Sequence, residues 1–214
     1  MAGRGYDALF IPRADEYLGE YLPERNERLR WCSGFTGSAG MLLLLRDRAA
    51  LFVDGRYTVQ VRGQCDPDLF EFHHLIDEPQ TDYLCDVLEE GARVACDPRL
   101  HSWRWYQDAR DTIRAAGMEL VADSDNLVDE CWRDRPDLPP GQAILLDESY
   151  SGECSADKRA RIGAKVAATG CDAALVFAPD AVSWLLNLRG RALPQLPVLL
   201  GFALLEASGE TTLF

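Results

Sequence analysis

The amino-acid sequence predicts an α/β fold in which a mixed central sheet is flanked by helices. Short apolar runs alternate along the chain with segments of helical pattern, and two of these runs flank a polar turn, as in a β-hairpin. The chain has 214 residues, of which 47% are hydrophobic and 27% charged, as in globular proteins with a buried core. This length fits one large domain, or one domain and part of another.

The first two elements are predicted from short apolar and proline signals. Residues 8–11 form an apolar run before Pro12, which cannot continue a ladder of hydrogen bonds, so they are predicted to be a buried strand. A short helix is predicted over residues 23–31, because Pro23 suits a first helical turn. Gly34 is predicted to end this helix.

A hairpin is predicted next, with residues 41–45 and 49–54 as central strands on either side of an Arg-Asp-Arg turn. The rest of this region alternates between helical and extended patterns. Helices are predicted at 57–65, 82–90, 103–116 and 127–133, and strands at 70–75, 93–96 and 119–122. Ser102 is the predicted N-cap of the third of these helices.

A domain boundary is predicted at residues 134–141, which contain three prolines and one glycine. We therefore predict a first domain over 1–133, a linker over 134–154 and the first part of a second, similar α/β domain over 155–214. The elements predicted there are a helix over 155–169 capped by residues 155–157, a helix over 181–188, and strands at 173–177, 198–205 and 211–214. About 60 residues are few for a stable core, so the last strands are expected to need further sequence or a neighbouring surface.

Composition excludes several classes of function. Subtracting 35 acidic from 22 basic residues gives a net charge of −13, which argues against binding to nucleic acid or to a membrane surface. No apolar run approaches the ~20 residues of a membrane span, so we predict a cytoplasmic protein. The seven cysteines include no C-x-x-C pair, so they are predicted to be reduced thiols rather than disulfides or zinc ligands.

The histidines and a glycine-rich segment give weak signals for chemistry. His73 and His74 are adjacent on a predicted strand and should point to opposite faces, which favours packing and solvation over shared metal binding. Residues 34–40 (GFTGSAG) precede a strand, whereas phosphate-binding glycine loops follow one. A tight connection that admits only small residues is therefore the favoured interpretation of this segment.

The turn at residues 54–57 is the strongest candidate for a site, because ligands and partners meet α/β sheets at strand ends. Arg56 offers five fixed donors suited to a carboxylate. The alternative is that Asp54 caps the following helix while Arg56 is solvated or paired with it, and the residues alone favour this alternative.

Six motifs occur in one order along the chain. They are residues 12–16 (PRADE), 34–40 (GFTGSAG), 51–60 (LFVDGRYTVQ), 125–129 (DNLVD), 155–159 (SADKR) and 183–190 (SWLLNLRG). Together they resemble the N-terminal portion of Xaa-Pro aminopeptidases of the three-domain type, in the creatinase family. The chain departs from this family after Gly190, where Arg191-Ala192 stands in place of the usual aspartate two residues on.

The resemblance implies a creatinase N-terminal-type domain, a second similar domain and a third, metallopeptidase domain that this sequence does not contain. In that family two divalent metal ions, Mn or Zn, lie in the third domain. It therefore assigns no catalytic, cofactor-binding or metal-binding residue here.

By the same resemblance, the segment's partners would be its own catalytic domain and a second subunit in a homodimer. It would form one wall of a cleft for short peptides with proline second, and Asp54, Arg56 and Tyr57 become candidate cleft- or subunit-facing residues. The alternatives are a free-standing dimerisation module without peptidase activity, or the N-terminal part of a creatinase- or prolidase-type hydrolase.

Overall fold

The computed structural model describes residues 1–138 and 141–214, and the chain divides into two compact units, Met1–Pro136 and Asp137–Phe214. The division falls inside the segment 134–154 that the sequence predicts as a linker. Residues 144–151 of that segment form secondary structure of the second unit. The domain limits drawn from the sequence stay a prediction.

The first unit is built on a six-stranded mixed sheet. Its strands are β1 (Ala8–Pro12), β2 (Gly40–Leu45), β3 (Ala49–Val53), β4 (Phe70–His74), β5 (Arg93–Cys96) and β6 (Glu119–Ala122). Their order across the sheet is β4-β3-β2-β1-β5-β6, and β2 alone among these six runs antiparallel to its neighbours. The predicted α/β class and the central place of the β2–β3 hairpin are both confirmed.

Helices cover both faces of this sheet. They are α1 (Arg28–Ser33), α2 (Thr58–Gln64), α3 (Gln80–Val87), α4 (Trp103–Ala115) and α5 (Leu127–Cys131). Neighbouring residues of one strand point to opposite faces, so Leu42 and Leu43 enter two different cores. One core contains α3 and α4 residues such as Ile113, and the other contains α1 and α5 residues such as Leu29 and Val128.

Two predicted boundaries near the N-terminus were wrong. The first strand includes Pro12, which pairs with β2, whereas β5 pairs with β1 only as far as Phe10. At Pro12 the side of β1 that faces β5 has no ladder to continue, so the missing N–H of proline is tolerated there. The predicted helix over 23–31 is a 3-10 turn, Glu24–Asn26, followed by α1; Gly34 ends α1 with φ of 78°, as predicted.

The other elements of the first unit agree with prediction in type. The helix predicted over 82–90 is α3, shifted toward the N-terminus, and the one predicted over 127–133 is the shorter α5. The Ser102 hydroxyl accepts a hydrogen bond from the backbone N–H of Trp105 at 3.2 Å, which confirms the predicted cap of α4.

The second unit contains a smaller sheet. Its elements are β7 (Ile144–Leu145), α6 (Glu148–Ser151), α7 (Ser155–Ala168), β8 (Ala173–Val176), α8 (Pro179–Leu186), β9 (Leu188–Arg189), β10 (Ala203–Glu206) and β11 (Thr211–Leu213). Strands β8, β10 and β11 form an antiparallel sheet with β10 in the middle, and β7 pairs with β9. None of the helices in the described ranges has the length and apolar character that a membrane crossing requires.

Three predictions for this unit were wrong in detail. The N-cap of α7 is Cys154, whose sulfur accepts from the Asp157 N–H, rather than residues 155–157. The strand predicted over 198–205 is regular only from Ala203, and the helix predicted over 181–188 is α8, which begins at Pro179.

A buried lysine holds two helices of the second unit together. Lys158 of α7 is 2% exposed, and its Nζ donates to Asn187 Oδ1 at 2.7 Å and to the Trp184 carbonyl at 3.0 Å. Asn187 ends α8 in the left-handed region, with φ of 51°. Its amide group also donates to Ser151 Oγ and to the Glu153 carbonyl, so one side chain links α6, α7 and α8.

Candidate functional site

Strands β1, β3, β4, β5 and β6 are parallel, so their carboxyl ends lie at one edge of the sheet, which we call the carboxyl edge. Polar residues follow these ends along the chain: Arg13 after β1, Asp54 after β3, Asp97 after β5 and Asp123 after β6. In α/β proteins this edge is the common place for binding sites.

The predicted site residues Asp54 and Arg56 form a closed ion pair in a tight turn. The Asp54 carboxylate accepts from the Arg56 backbone N–H at 2.9 Å, and Arg56 Nη2 and Nε donate to Asp54 Oδ2 at 2.6 and 3.0 Å. The predicted helix cap is therefore wrong, because the N-cap of α2 is Tyr57 and the Asp54 side chain is used within its own turn. The predicted pairing of Arg56 with Asp54 is confirmed.

This pair fixes the charge of both groups. The hydrogen bond from the Arg56 guanidinium lowers the pKa of Asp54 below its usual value, and the Asp54 carboxylate raises the pKa of Arg56. The Arg56 side chain is 65% exposed. Within the described part of the chain, no hydrogen bond is made by its Nη1 group, so this cation stays available to an acceptor from outside.

Tyr57 connects the turn to the glycine-rich segment. Its hydroxyl lies 2.7 Å from Ser38 Oγ, and this hydrogen bond lowers the pKa of Tyr57. The ring packs edge-on against Phe35 with 5.6 Å between centroids. The Arg56 guanidinium lies over the Tyr57 ring, with its central carbon 5.1 Å from the ring centroid. The three predicted residues are therefore brought together.

The glycine-rich segment, which carries Ser38, is closely packed around Phe35. Phe35 is 1% exposed, and a Cβ atom on Gly37 would lie 2.2 Å from its ring. Arg13 Nη1 donates to the Ser38 carbonyl at 3.3 Å, while Arg13 Nη2 is paired with Glu27 at 3.0 Å. Only glycine fits beside Phe35, as the tight-connection interpretation predicts.

Replacing Gly37 by alanine is expected to lower the free energy of unfolding by about 2 kcal/mol, because the new methyl group overlaps the buried Phe35 ring. Gly63→Ala is the matched control, since a Cβ there meets nothing within 4 Å and Gly63 lies inside α2. That change is expected to raise stability by roughly 0.5 to 1 kcal/mol. Urea unfolding of both variants measures the difference, and equal effects would contradict the packing argument.

His74 is a neighbour of the turn that sequence reasoning did not connect with it. Strands β3 and β4 pair in register with Val53 opposite His74, and a Cβ on Gly55 would lie 3.4 Å from His74 Nε2. His74 Nδ1 is 3.0 Å from Asp77 Oδ2. The order strand, helix, strand along the chain implies that β3 and β4 pair in parallel, and this pairing could have predicted that His74 lies beside the turn.

His73 lies on the opposite face, as predicted. Its ring stacks on Phe52 with 4.8 Å between centroids, and its Nδ1 is 2.7 Å from Glu78 Oε2. In the described ranges, no group of three His, Cys, Asp or Glu side chains is placed to hold a metal ion.

A second polar cluster at the carboxyl edge was missed by sequence reasoning, because its partners are far apart in the chain. Asp97 is 4% exposed and accepts from Arg99 Nη2 at 2.8 Å and from Asn126 Nδ2 at 2.9 Å. Burial acts to raise the pKa of Asp97, but these hydrogen bonds outweigh burial and the pKa lies below its usual value. Arg28, 1% exposed, makes a two-point ion pair with Asp129 at 2.7 and 2.9 Å.

His101 is expected to make stability depend on pH. Burial lowers its pKa to about 4, and its ring stacks on Trp105 with 3.7 Å between centroids. An unfolded histidine has a pKa near 6.5, so the unfolded state binds more protons between about pH 6.5 and 4 and stability falls on acidification through that window. The expected loss from this group between pH 8 and pH 5 is about 2 kcal/mol.

Urea unfolding at the two pH values measures this loss, with His101→Phe as the comparison, because phenylalanine retains the stack without a proton site. The variant should lose less stability than the parent on acidification. An equal loss in both proteins would show that other groups cause it.

Comparisons with known proteins cover both units. A family model described as the creatinase/prolidase N-terminal domain matches residues 1–131, and a second model of the same description matches residues 134–214. Aminopeptidase P2 of Arabidopsis thaliana is 34% identical over 95% of this chain and 29% of its own length. A probable Xaa-Pro aminopeptidase P of Coprinopsis cinerea is 31% identical over 100% of this chain and 35% of its own.

A solved structure agrees with the fold over nearly the whole chain. The crystal structure of X-prolyl aminopeptidase from Caenorhabditis elegans, described as a cytosolic enzyme with a di-nuclear active site, superposes with a TM-score of 0.90. The two chains are 30% identical, and the match covers 98% of this chain and 34% of that one. The chain thus spans about a third of the length of these relatives. It belongs to the creatinase/prolidase N-terminal domain family, and its homologues are Xaa-Pro aminopeptidases.

Proposed function

We propose that this chain is the N-terminal, non-catalytic part of an Xaa-Pro aminopeptidase, an enzyme that removes the first residue from peptides with proline second. The observation that carries the proposal is the agreement of both units with the C. elegans enzyme, at a TM-score of 0.90 over 98% of the chain.

The metal chemistry of such an enzyme belongs to a further domain. The C. elegans enzyme is described as having a di-nuclear active site, and two divalent ions, Mn or Zn, would activate the attacking water there. Residues 1–138 and 141–214 offer no set of three metal-ligating side chains. For this chain we propose a role in subunit association and in the shape of the cleft.

We place the Asp54–Tyr57 turn at the substrate cleft or at the boundary with a second subunit of a cytoplasmic homodimer. Arg56 supports this role because Asp54 fixes its orientation through Nε and Nη2, while the Arg56 side chain is 65% exposed. Tyr57 anchors the turn through the hydrogen bond between its hydroxyl and Ser38 Oγ. A guanidinium held in this way can bind a peptide carboxylate or carbonyl without first losing much side-chain freedom.

Peptide cleavage tests the catalytic part of the proposal. The 214-residue chain with added manganese is expected to leave an Arg-Pro-Pro peptide intact, whereas the longest natural product that contains these residues should release its first residue. Turnover by the 214-residue chain would overturn the non-catalytic assignment. An inactive longer product would favour a binding module instead.

The role of the turn is tested by Arg56→Gln in the longer product. We expect a several-fold rise in KM with little change in the folded state, or a loss of the dimer in light scattering, because the oriented cation is removed. Arg104→Gln is the matched control, since Arg104 is 92% exposed on α4. Equal behaviour of the two variants would remove the turn from the cleft and from the subunit boundary.

A further inference from the structure

A crevice opens at the carboxyl edge of the first unit, between α2 and the ends of β3 and β4. Its volume is about 150 Å³, and the residues around it include Val53, Thr58, Val61, Arg62, Phe72 and His74. Crevices outside the carboxyl ends of strands are the usual place for ligands in α/β sheets. Since a water molecule takes about 30 Å³ in the liquid, this volume suits a small molecule or one residue of a peptide.

The inner surface of the crevice is apolar. Val53 and Val61 are each 1% exposed, and Phe72 packs against the same core. Neighbouring side chains of a strand alternate between faces, so Phe72 and His74 of β4 stand together on one face. An apolar group of a ligand would therefore meet aliphatic and aromatic carbon here.

Arg62 supplies a positive charge to the crevice. Its side chain is exposed, and its central carbon lies over the Phe72 ring, 5.4 Å from the ring centroid. Across residues 1–138 and 141–214, its guanidinium makes no hydrogen bond or ion pair. A guanidinium over an aromatic ring keeps its N–H groups free at the edge of its own plane, where they can bind a carboxylate at two points.

His74 supplies a second donor. Its Nδ1 accepts a hydrogen bond from the Asp77 N–H at 3.2 Å, which assigns the proton of the neutral ring to Nε2. Protonation of the ring adds a hydrogen at Nδ1, 3.0 Å from Asp77 Oδ2, and Nε2 remains a donor. Residue 55 is a glycine, so no side chain of the turn covers Nε2. In the described part of the chain, Nε2 has no hydrogen-bond partner.

Glu78 is the acidic group of the crevice, and both of its oxygens are already used. Oε2 lies 2.7 Å from His73 Nδ1, and Oε1 accepts from the His74 backbone N–H at 3.1 Å. The hydrogen bond with His73 lowers the pKa of Glu78, so this carboxylate keeps its charge at neutral pH. Its oxygens are nevertheless bound to His73 and to the backbone rather than to Arg62, which leaves the Arg62 donors open to another acceptor.

We propose that this crevice binds a carboxylate that carries a small apolar group. The carboxylate would accept from the Arg62 guanidinium and from His74 Nε2, and the apolar group would lie against Val61 and Phe72. Two sources share this chemistry, namely the C-terminal residue of a short peptide and a free amino acid. The site is argued from the first unit alone, and its connection with peptides rests on the proposed function.

NMR signals of the histidine rings test the proposal on the 214-residue chain, which has only three histidines. The probes are N-acetyl-L-valine and N-acetyl-L-valinamide, which differ in the carboxylate. At constant pH and ionic strength, the acid is expected to shift the His74 signal saturably at millimolar concentration, and the amide is expected to leave it in place. His74→Gln assigns the signal by its disappearance. His101 is the internal control, since it stacks on Trp105 outside the crevice.

Arg62→Gln should bind N-acetyl-L-valine roughly tenfold more weakly than the parent, because a charged hydrogen-bond donor is removed. Arg104→Gln is the matched control, since Arg104 is 92% exposed on α4, and it should bind as the parent does. An unchanged His101 signal shows that the first unit of each variant is folded. Unchanged affinity in Arg62→Gln, equal binding of the acid and the amide, or a His74 signal that does not move would each overturn the proposal.

L-Valine distinguishes the two sources of the carboxylate. Tighter binding of N-acetyl-L-valine would assign the site to a peptide C-terminus. Tighter binding of L-valine would assign it to a free amino acid, whose ammonium group the charged Glu78 attracts. Either order supports a carboxylate site.

Failure of the proposed function would look different from failure of this inference. Carboxylate binding by the 214-residue chain, without peptide cleavage by the longest natural product that contains it, would keep the crevice and reject the peptidase. Cleavage by the longer product without a shift of the His74 signal would do the reverse.

Discussion

Replacing Arg28 by methionine is expected to lower the free energy of unfolding of the first unit by about 4 kcal/mol, because it breaks a buried ion pair. Arg28 is 1% exposed and holds both oxygens of Asp129, which links α1 to α5 across 101 residues of sequence. Among the residues that the structure describes, Arg135 would remain as the partner of Asp129, at 2.6 Å. Urea unfolding followed by tryptophan fluorescence measures the change, since Trp31 and Trp132 stack where these two helices meet.

The matched control is Arg104→Met, which removes an exposed arginine that lies 3.8 Å from Asp108 on α4. Exposed pairs of this kind contribute little, so a change within about 0.5 kcal/mol is expected. A loss for Arg28→Met no larger than for Arg104→Met would mean that the methionine packs as well as the ion pair did. The stability argument from burial would then fail.

Replacing Asn187 by alanine is expected to lower the stability of the second unit by about 3 kcal/mol, because Lys158 loses its side-chain acceptor in a buried site. The change also removes the donors to Ser151 and to the Glu153 carbonyl. Hydrogen exchange resolved by mass spectrometry checks this, because it reports α7 and α8 separately from the first unit. Exchange in α7 and α8 should accelerate while exchange in the first unit stays constant.

Asn187→Gly separates the backbone part of this effect from the side-chain part. The φ of 51° at this position strains alanine and suits glycine, so the glycine variant should be more stable than the alanine variant by roughly 1 kcal/mol. If the lost side-chain hydrogen bonds explained the whole loss of stability, the glycine and alanine variants would be equally stable. Equal stabilities would therefore contradict the backbone argument.

The sequence predicted best those elements whose local hydrophobic pattern agrees with the strand pairing and packing that they find in the fold. The hairpin of β2 and β3 was predicted because two apolar runs flank three polar residues, and both strands lie in the centre of the sheet. The predicted strand over 198–205 failed in its first half. Its apolar run reads as a strand, but regular pairing needs a partner, and β10 finds β8 and β11 only from Ala203 onward.

Capping shows the same limit at the level of single residues. Ser102 was recognised because serine is a common N-cap, whereas Cys154 was missed because a thiol accepts hydrogen bonds weakly and is rarely used in this way. Asp54 precedes a helix and has the right chemistry for a cap. Its carboxylate is instead taken by Arg56, two residues away.

The candidate site was predicted only as far as local sequence reaches. Asp54, Arg56 and Tyr57 are neighbours in the chain, so their turn could be predicted from it. Ser38 and His74 come to the turn through pairing of β3 with β2 and β4, and no local pattern contains that information. The Arg28–Asp129 pair, which spans 101 residues, lies beyond local reasoning for the same reason.

The strand order also has a consequence for how the chain folds during its synthesis. β1 leaves the ribosome first, but it pairs on one side with β2 and on the other with β5, which begins at Arg93. Until about 85 further residues have been made, one edge of this apolar strand has no partner. The hairpin of β2 and β3 closes over a much shorter stretch, so we expect it to shelter one side of β1 early and to leave the β5 side exposed to aggregation until the first unit is complete.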